Sequence, residues 1–271
     1  MMFWSGTVEE AIPTVAGLGF DVIEIWAEHL WRGDETPSRV RQALERERLL
    51  CTVHCPIMDV NITSPNRGIR AESLRQNLAA VDLAADLGAR LLVTHPGQLF
   101  SRHDSLNEYW DIQLAAFEQI VALAQRRSVR VAVENMDLQS VIEVVKSAGE
   151  VRRITGHFGP DELGIVLDTT HLNTTDRILD FVAQSEDIVH THLSDAAPLS
   201  ADKVRTHLAL GDGALDFARL LAALLPKYTG ILSLETFIPA GNPDKIRSQR
   251  QWLSALVESL HDVPAPTGSF L

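Results

Sequence analysis

The chain has 271 residues, 45% hydrophobic and 22% charged; one α/β barrel of about 250 residues fits that length better than two ordinary domains. Lys and Arg number 24 against 36 Asp and Glu, so the formal charge is −12, which argues against a phosphate-backbone binder and leaves no nucleic-acid partner expected. No apolar run approaches the roughly 18 residues of a membrane span, and Met1–Pro13 lacks the basic and apolar regions of a signal peptide, so a cytoplasmic protein with no membrane partner is expected.

Met1–Ser5 is short but reads as a first strand, with Trp4 near its tip. Thr7 starts a helix, with Glu10 three residues on as a capping box, and Gly17 and Gly19 close it. Phe20–Trp26 is a second strand whose alternation sets Val22, Glu24 and Trp26 on one face. A loop over 27–35 leads to Thr36, an N-cap followed by proline at the first helical position, and a helix to about Arg48. Leu49–Cys55 is the third strand. A long polar loop then feeds a helix in which Leu74, Leu78, Val81 and Ala85 form one stripe, ended by Gly88. Ala89–His95 is the fourth strand, and the loop after it, with Phe100, His103, Tyr109 and Trp110, is long enough to act as a lid.

A helix runs to about Arg126, Val129–Glu134 is the fifth strand, and Leu138–Ser147 reads as a shorter helix, with Val151–Ile154 extending or following it. Leu163–Asp168 is the sixth strand, Thr174–Gln184 a helix, and Asp187–Asp195 the seventh strand. An extended glycine-punctuated loop follows over 196–213, then a helix over Leu215–Leu225 stopped by Pro226. Gly230–Glu235 is the eighth strand and Asp244–Leu260 the closing helix. Eight strands alternating with helices predict a single-domain (β/α)8 TIM barrel over residues 1–262, with a surface-lying or disordered tail over 263–271. An open doubly wound sheet is the rival, but its ligands gather at one switch point, whereas here candidate ligands come from strands three through eight.

Those candidates repeat one pattern. His54, His95, Glu134, Asp168, His192 and Glu235 each follow an apolar run at its C-terminal tip. Any one of them reads more simply as a helix cap or an ion-pair partner; six together do not. Glu134, Asp168, His192 and Glu235 make an oxygen-rich set suited to one divalent metal, Mn²⁺, Co²⁺, Mg²⁺ or Zn²⁺. Without a cation, three converging carboxylates would repel one another. His54, His95, His171 and His207 form a second ring. His190 lies one layer deeper than His192 and reads as packing, and His29, His103 and His157 as solvated loop residues. Glu24 is placed to bind hydroxyl groups of a ligand or to pair with Arg205 or another barrel arginine; Trp4 and Trp26 to stack on a ligand's apolar face or pack at the rim. Cys51 and Cys55 flank His54, but four residues of strand separate them by about 13 Å, beyond disulfide reach. Alternation turns both outward under the helices as reduced thiols.

The stretches GLGFDVIEIW, TVHCP, LGARLLVTHPG, VAVEN, GIVLDTTH, VHTHLSD, HLALGDGALDF and LET span nearly the whole chain. In this order they resemble the xylose-isomerase-like TIM barrels, which include sugar (phosphate) isomerases and epimerases, inosose dehydratases and endonuclease IV. In the epimerases the resemblance implies one divalent metal on Glu134, Asp168, His192 and Glu235. Endonuclease IV-like members hold three zinc ions, also using His54, His95, His171, His207 and an aspartate two residues before the last histidine; here Arg205 stands there, so that cluster should be incomplete.

The expected reaction is proton abstraction next to a carbonyl through a metal-stabilised enediolate. Glu134 and Glu235 flank the substrate from opposite sides, one removing the proton and the other returning it. A dehydratase acting on a cyclic polyol is the nearest alternative, and a zinc phosphodiesterase acting on abasic DNA a further one. The expected partner is a small sugar or polyol, with oligomerisation left open and Arg102, Lys203 and Arg205 as possible anion contacts.

Overall fold

The computed structural model describes residues 3, 5–159, 161–200, 203–238 and 242–261. Thr7 caps α1 (Val8–Gly17) through the box with Glu10, and β1 (Val22–Trp26) turns directly into a short α2 (Ala27–Trp31). Thr36 caps α3 (Pro37–Glu47). After β2 (Leu50–His54), Asn66 caps α4 (Arg67–Leu87), which Gly88 closes at φ +78°, a conformation that favours glycine. There follow β3 (Leu91–Thr94), α5 (Leu106–Arg126), β4 (Arg130–Glu134), α6 (Ala148–Thr155) and β5 (Leu163–Asp168). Next come α7 (Thr169–Leu172), α8 (Thr175–Gln184) and β6 (Ile188–Leu193). A hairpin of β7 (Asp195–Ser200) and β8 (Lys203–Leu208) precedes α9 (Phe217–Leu224), β9 (Ile231–Leu234) and α10 (Pro243–His261).

Seven parallel strands, in the order β1-β2-β3-β4-β5-β6-β9, make a nearly closed single-domain TIM barrel. Alternation splits each strand between two cores. Val53, Val133, Ile165 and Leu167 face the helices, whereas Val93, Ala132 and Val166 pack together in a separate cluster inside the barrel. No described helix is long and apolar enough to cross a membrane.

The structure corrects several expectations. The strand expected at Met1–Ser5 falls largely outside the described residues, since Met1, Met2 and Trp4 are not described and Phe3 and Ser5 lie in a turn. The described strands flanking that position, β1 and β9, do not pair, and a cavity of about 590 Å³ runs along the seam between them. The tail over 263–271 also lies outside the described residues. Residues 138–147 are not helical: Val145 sits at φ +65°, Gln98 bridges Glu143, and Leu99 N–H donates to Ile142 C=O at 2.8 Å. A left-handed residue and cross-loop pairing are both incompatible with an i→i−4 ladder. The loop expected at 27–35 holds α2, and most of that expected at 196–213 is the antiparallel β7–β8 pair. In α4 the buried residues are Ser73, Asn77, Ala80, Val81, Leu83, Ala84 and Leu87, while Leu74, Leu78 and Ala85 are only partly buried. Small side chains let the helix approach the sheet, and the Thr94 hydroxyl donates to Asn77 Oδ1 at 3.0 Å.

Candidate metal centre at the barrel mouth

The strand period of two that sends Val93, Ala132 and Val166 into the barrel also sends the residue two places on, at the C-terminal tip, the same way. His95, Glu134 and Asp168 therefore form an upper layer, joined by Trp26, His54, His192 and Glu235. The strands carrying Glu134, Asp168, His192 and Glu235 are consecutive in the sheet. Asp168 pairs in register with His192, and Glu235 N–H donates to Leu193 C=O at 3.1 Å. One ligand atom from each of the four lies within 4.8 Å of all the others.

His192 Nδ1 stands 3.0 Å from Glu235 Oε2, 3.3 Å from Glu134 Oε1 and 4.0 Å from Asp168 Oδ2. Yet His192 Nδ1, Asp168 Oδ2 and Glu235 Oε2 are buried with no hydrogen-bond partner. Three buried atoms converging without hydrogen bonds fit a divalent cation: the two carboxylate oxygens, and Nδ1 once His192 is neutral, would each donate a lone pair to it, and its charge would offset the carboxylates. Burial pushes Asp168 up to about 6, with His171 opposing and Glu235 and Glu134 reinforcing. For Glu134 burial also works upward, but the facing imidazoles, His192 foremost, hold it well below the usual carboxylate range. The same opposition leaves Glu235 at about 2.

A second trio shares Glu134. His54 and His95 bring Nε2 to 3.4 and 3.3 Å from Glu134 Oε2. His54 Nδ1–H donates to Cys55 C=O at 2.7 Å, so a neutral His54 offers Glu134 only a lone pair. His171 and His207 are tied likewise through Nδ1, to Asn135 C=O at 2.8 Å and Glu235 C=O at 3.2 Å, and their rings meet edge-on at 5.7 Å. Among the described residues His171 and His207 belong to no group of three potential ligands. Arg205 is an exposed side chain on β8, and its guanidinium cannot ligate a cation.

Two expectations change here. Glu24 does not pair with Arg205; its carboxylate is bound by His190, His192 and Thr52. His190 is accordingly hydrogen-bonded rather than mere packing. Trp26 is buried with its ring 5.6 Å from that of His54, and Trp4 lies outside the described residues. Cys51 and Cys55 are free thiols among the packed side chains of the outer core.

Sequence reasoning passed over Asn135 and Asp195. Asn135 Oδ1 accepts from Asp168 N–H at 2.8 Å while its Nδ2 donates to Asp168 C=O at 3.1 Å, tying the tips of β4 and β5 together. Asp195 accepts four backbone N–H groups, from Ala196, Gly211, Gly213 and Leu215, which folds the 209–215 loop back beside the mouth. The signal for both was a short polar residue within two places of a strand tip, as in VAVEN and HTHLSD.

A parallel barrel with its acids and imidazoles gathered at the C-terminal ends of the strands is the layout of a TIM-barrel enzyme. The chain belongs to the xylose isomerase-like TIM barrel family, whose model matches residues 12–256. A 3-dehydroshikimate dehydratase of Pseudomonas aeruginosa is 27% identical over 86% of this chain and 36% of its own length. A probable endonuclease 4 of Mycobacterium marinum is 27% identical over 80% of this chain and 85% of its own. The solved structure of a D-tagatose 3-epimerase-like protein superposes with a TM-score of 0.81 at 22% identity, covering 96% of each chain.

Proposed function

We propose that the protein is a divalent-metal-dependent sugar, or sugar phosphate, isomerase or epimerase. The observation that carries this reading is the set Glu134, Asp168, His192 and Glu235, whose ligand atoms converge within 4.8 Å while three of them lack hydrogen bonds. These four would hold Mn²⁺, Co²⁺, Mg²⁺ or Zn²⁺. When bound, the metal supplies Lewis-acid polarisation of the substrate carbonyl. Glu134 ends β4 and Glu235 follows β9, with β5 and β6 between them, so the two carboxylates approach the mouth from different sides. One removes the proton beside the carbonyl and the other returns it: to the opposite face in epimerisation, or to the neighbouring carbon in aldose–ketose exchange. Trp26 supplies an apolar wall beside His54, suited to the carbon face of a sugar. The family and the epimerase-like fold support this choice, and the dehydratase relative supports the neighbouring one, in which the same abstraction is followed by loss of water.

Substrate-dependent exchange of C–H for C–D in deuterated water tests the chemistry across a panel of ketoses. Glu134→Gln and Glu235→Gln should each lower exchange on the order of 10³-fold; wild-type exchange in both variants would remove these residues from the reaction. The trio His54, His95 and Glu134 favours a second reading, phosphodiester hydrolysis on more than one metal. Arg205 and the −12 charge oppose it. About one metal equivalent per chain and no incision of abasic-site DNA are expected, and near three zinc equivalents together with incision would reverse the order of the two readings.

A further inference from the structure

One layer below the four proposed metal ligands lies a carboxylate outside that set. Glu24, on β1, reaches across the barrel to β6: its Oε1 lies 2.8 Å from His192 Nε2 and its Oε2 2.9 Å from His190 Nε2. The Thr52 hydroxyl donates to the same Oε2 at 2.9 Å. Both histidines are fully buried. The His190 ring meets that of His192 edge-on at 5.3 Å, and the His54 ring stacks on its other side at 5.8 Å. Carboxylate oxygens only accept, so each Nε2 must carry the proton it donates. A neutral imidazole has one N–H, which leaves the lone pair of His192 on Nδ1, the atom that faces Glu134, Glu235 and Asp168.

We propose that Glu24 is a positioning residue for the metal centre, fixing the tautomer and ring plane of His192 so that Nδ1 faces the cation. This rests on the metal-binding reading above. Such a carboxylate–imidazole–metal relay keeps a ligand's lone pair aimed before the ion arrives, and losing the outer partner typically weakens metal binding roughly 10–100-fold. Glutamine at position 24 keeps one acceptor but adds an N–H₂ donor. One of the two histidines then meets a donor with its own N–H, and the Nε2–H form of His192 is no longer enforced.

The test is Co²⁺ affinity, measured by competition with a chelating indicator on wild type, Glu24→Gln, Glu24→Asp and Thr52→Val, with folding checked by circular dichroism. ¹⁵N-histidine NMR of the Zn²⁺-loaded wild type locates the His192 proton without any variant. The expected result is about one tight Co²⁺ per chain, a roughly 10–100-fold loss in Glu24→Gln, smaller losses in Glu24→Asp and Thr52→Val, and the His192 proton on Nε2. Equal affinity in wild type and folded Glu24→Gln overturns the positioning role while leaving the metal reading intact. Zinc on Nε2 of His192, with the proton on Nδ1, overturns it equally. A wild type that takes up no Co²⁺ overturns the metal reading and the role together.

Discussion

Two clusters of carboxylate and imidazole lie one residue layer apart in this barrel, and they differ in how their atoms are satisfied. In the lower cluster both oxygens of Glu24 accept hydrogen bonds, from His190, His192 and Thr52. In the upper one Asp168 Oδ2, Glu235 Oε2 and His192 Nδ1 are buried and have none. Carboxylates and imidazoles make up both and the burial is comparable, so composition does not separate the two; the number of unpartnered atoms does, with His190 Nδ1 alone below against three above. A carboxylate whose two oxygens are both hydrogen-bonded supports the fold around it, whereas converging carboxylates with unpartnered oxygens cost stability and are retained for what they bind. His192 belongs to both, through Nε2 below and Nδ1 above.

Removing the metal should produce the largest effect. EDTA is expected to abolish turnover and Mn²⁺ or Co²⁺ to restore it; indifference to chelation, with no metal by elemental analysis, would make the upper cluster a structural curiosity. Asp195 extends the comparison to a buried carboxylate outside both clusters, one that accepts four backbone N–H groups. Asp195→Asn exchanges one of the two acceptor oxygens for an N–H₂ donor, which then faces two of those four N–H groups, and should cost about 3 kcal/mol in urea unfolding. A loss below experimental error would show that the loop has another anchor.

The two clusters should respond with opposite signs to the same kind of change. In metal-free protein Glu24→Gln should lower stability by about 2 kcal/mol, because it breaks the hydrogen bonds that His190, His192 and Thr52 make to the carboxylate. Asp168→Asn should raise it by about 1 kcal/mol, because it removes a buried charge while its amide oxygen still accepts from His171 N–H. Two losses of equal size would erase the distinction. The thiols belong to neither cluster: burial pushes Cys51 and Cys55 up to about 12, so both stay protonated at pH 8. A thiol reagent should label neither before unfolding, with or without metal, and labelling that changes on metal loading would tie them to the site.

The smallest effect concerns the loop after β3. Its stem is pinned, since Gln98 N–H donates to Asn61 Oδ1 and Thr63 Oγ1 at 2.9 Å each, while Phe100 stands 75% exposed. Hydrogen exchange at residues 100–103 should slow when a polyol ligand binds, with the stem equally protected in both states. No change at the tip would end its candidacy as a cover for the mouth.

Much of this arrangement was local and therefore readable in the chain. Apolar runs of strand length, each closing on His54, His95, Glu134, Asp168, His192 or Glu235, place their last side chain by a period of two. The caps at Thr7 and Thr36 and the stop at Gly88 are likewise settled within four residues. The metal-like group of four follows once those strands are neighbours in a parallel sheet. What only the tertiary structure decided are the contacts that span the barrel. Glu24 and His192 are 168 residues apart in sequence, and nothing near either shows that they meet, or that Arg205 points elsewhere. The segment 138–147 could form a helix on its own pattern, but pairing with the loop after β3 displaced it, and Val145 took a backbone conformation that no propensity would suggest. Local rules fix where a side chain leaves its strand; barrel closure and register decide which side chain it meets and whether its last lone pair is used.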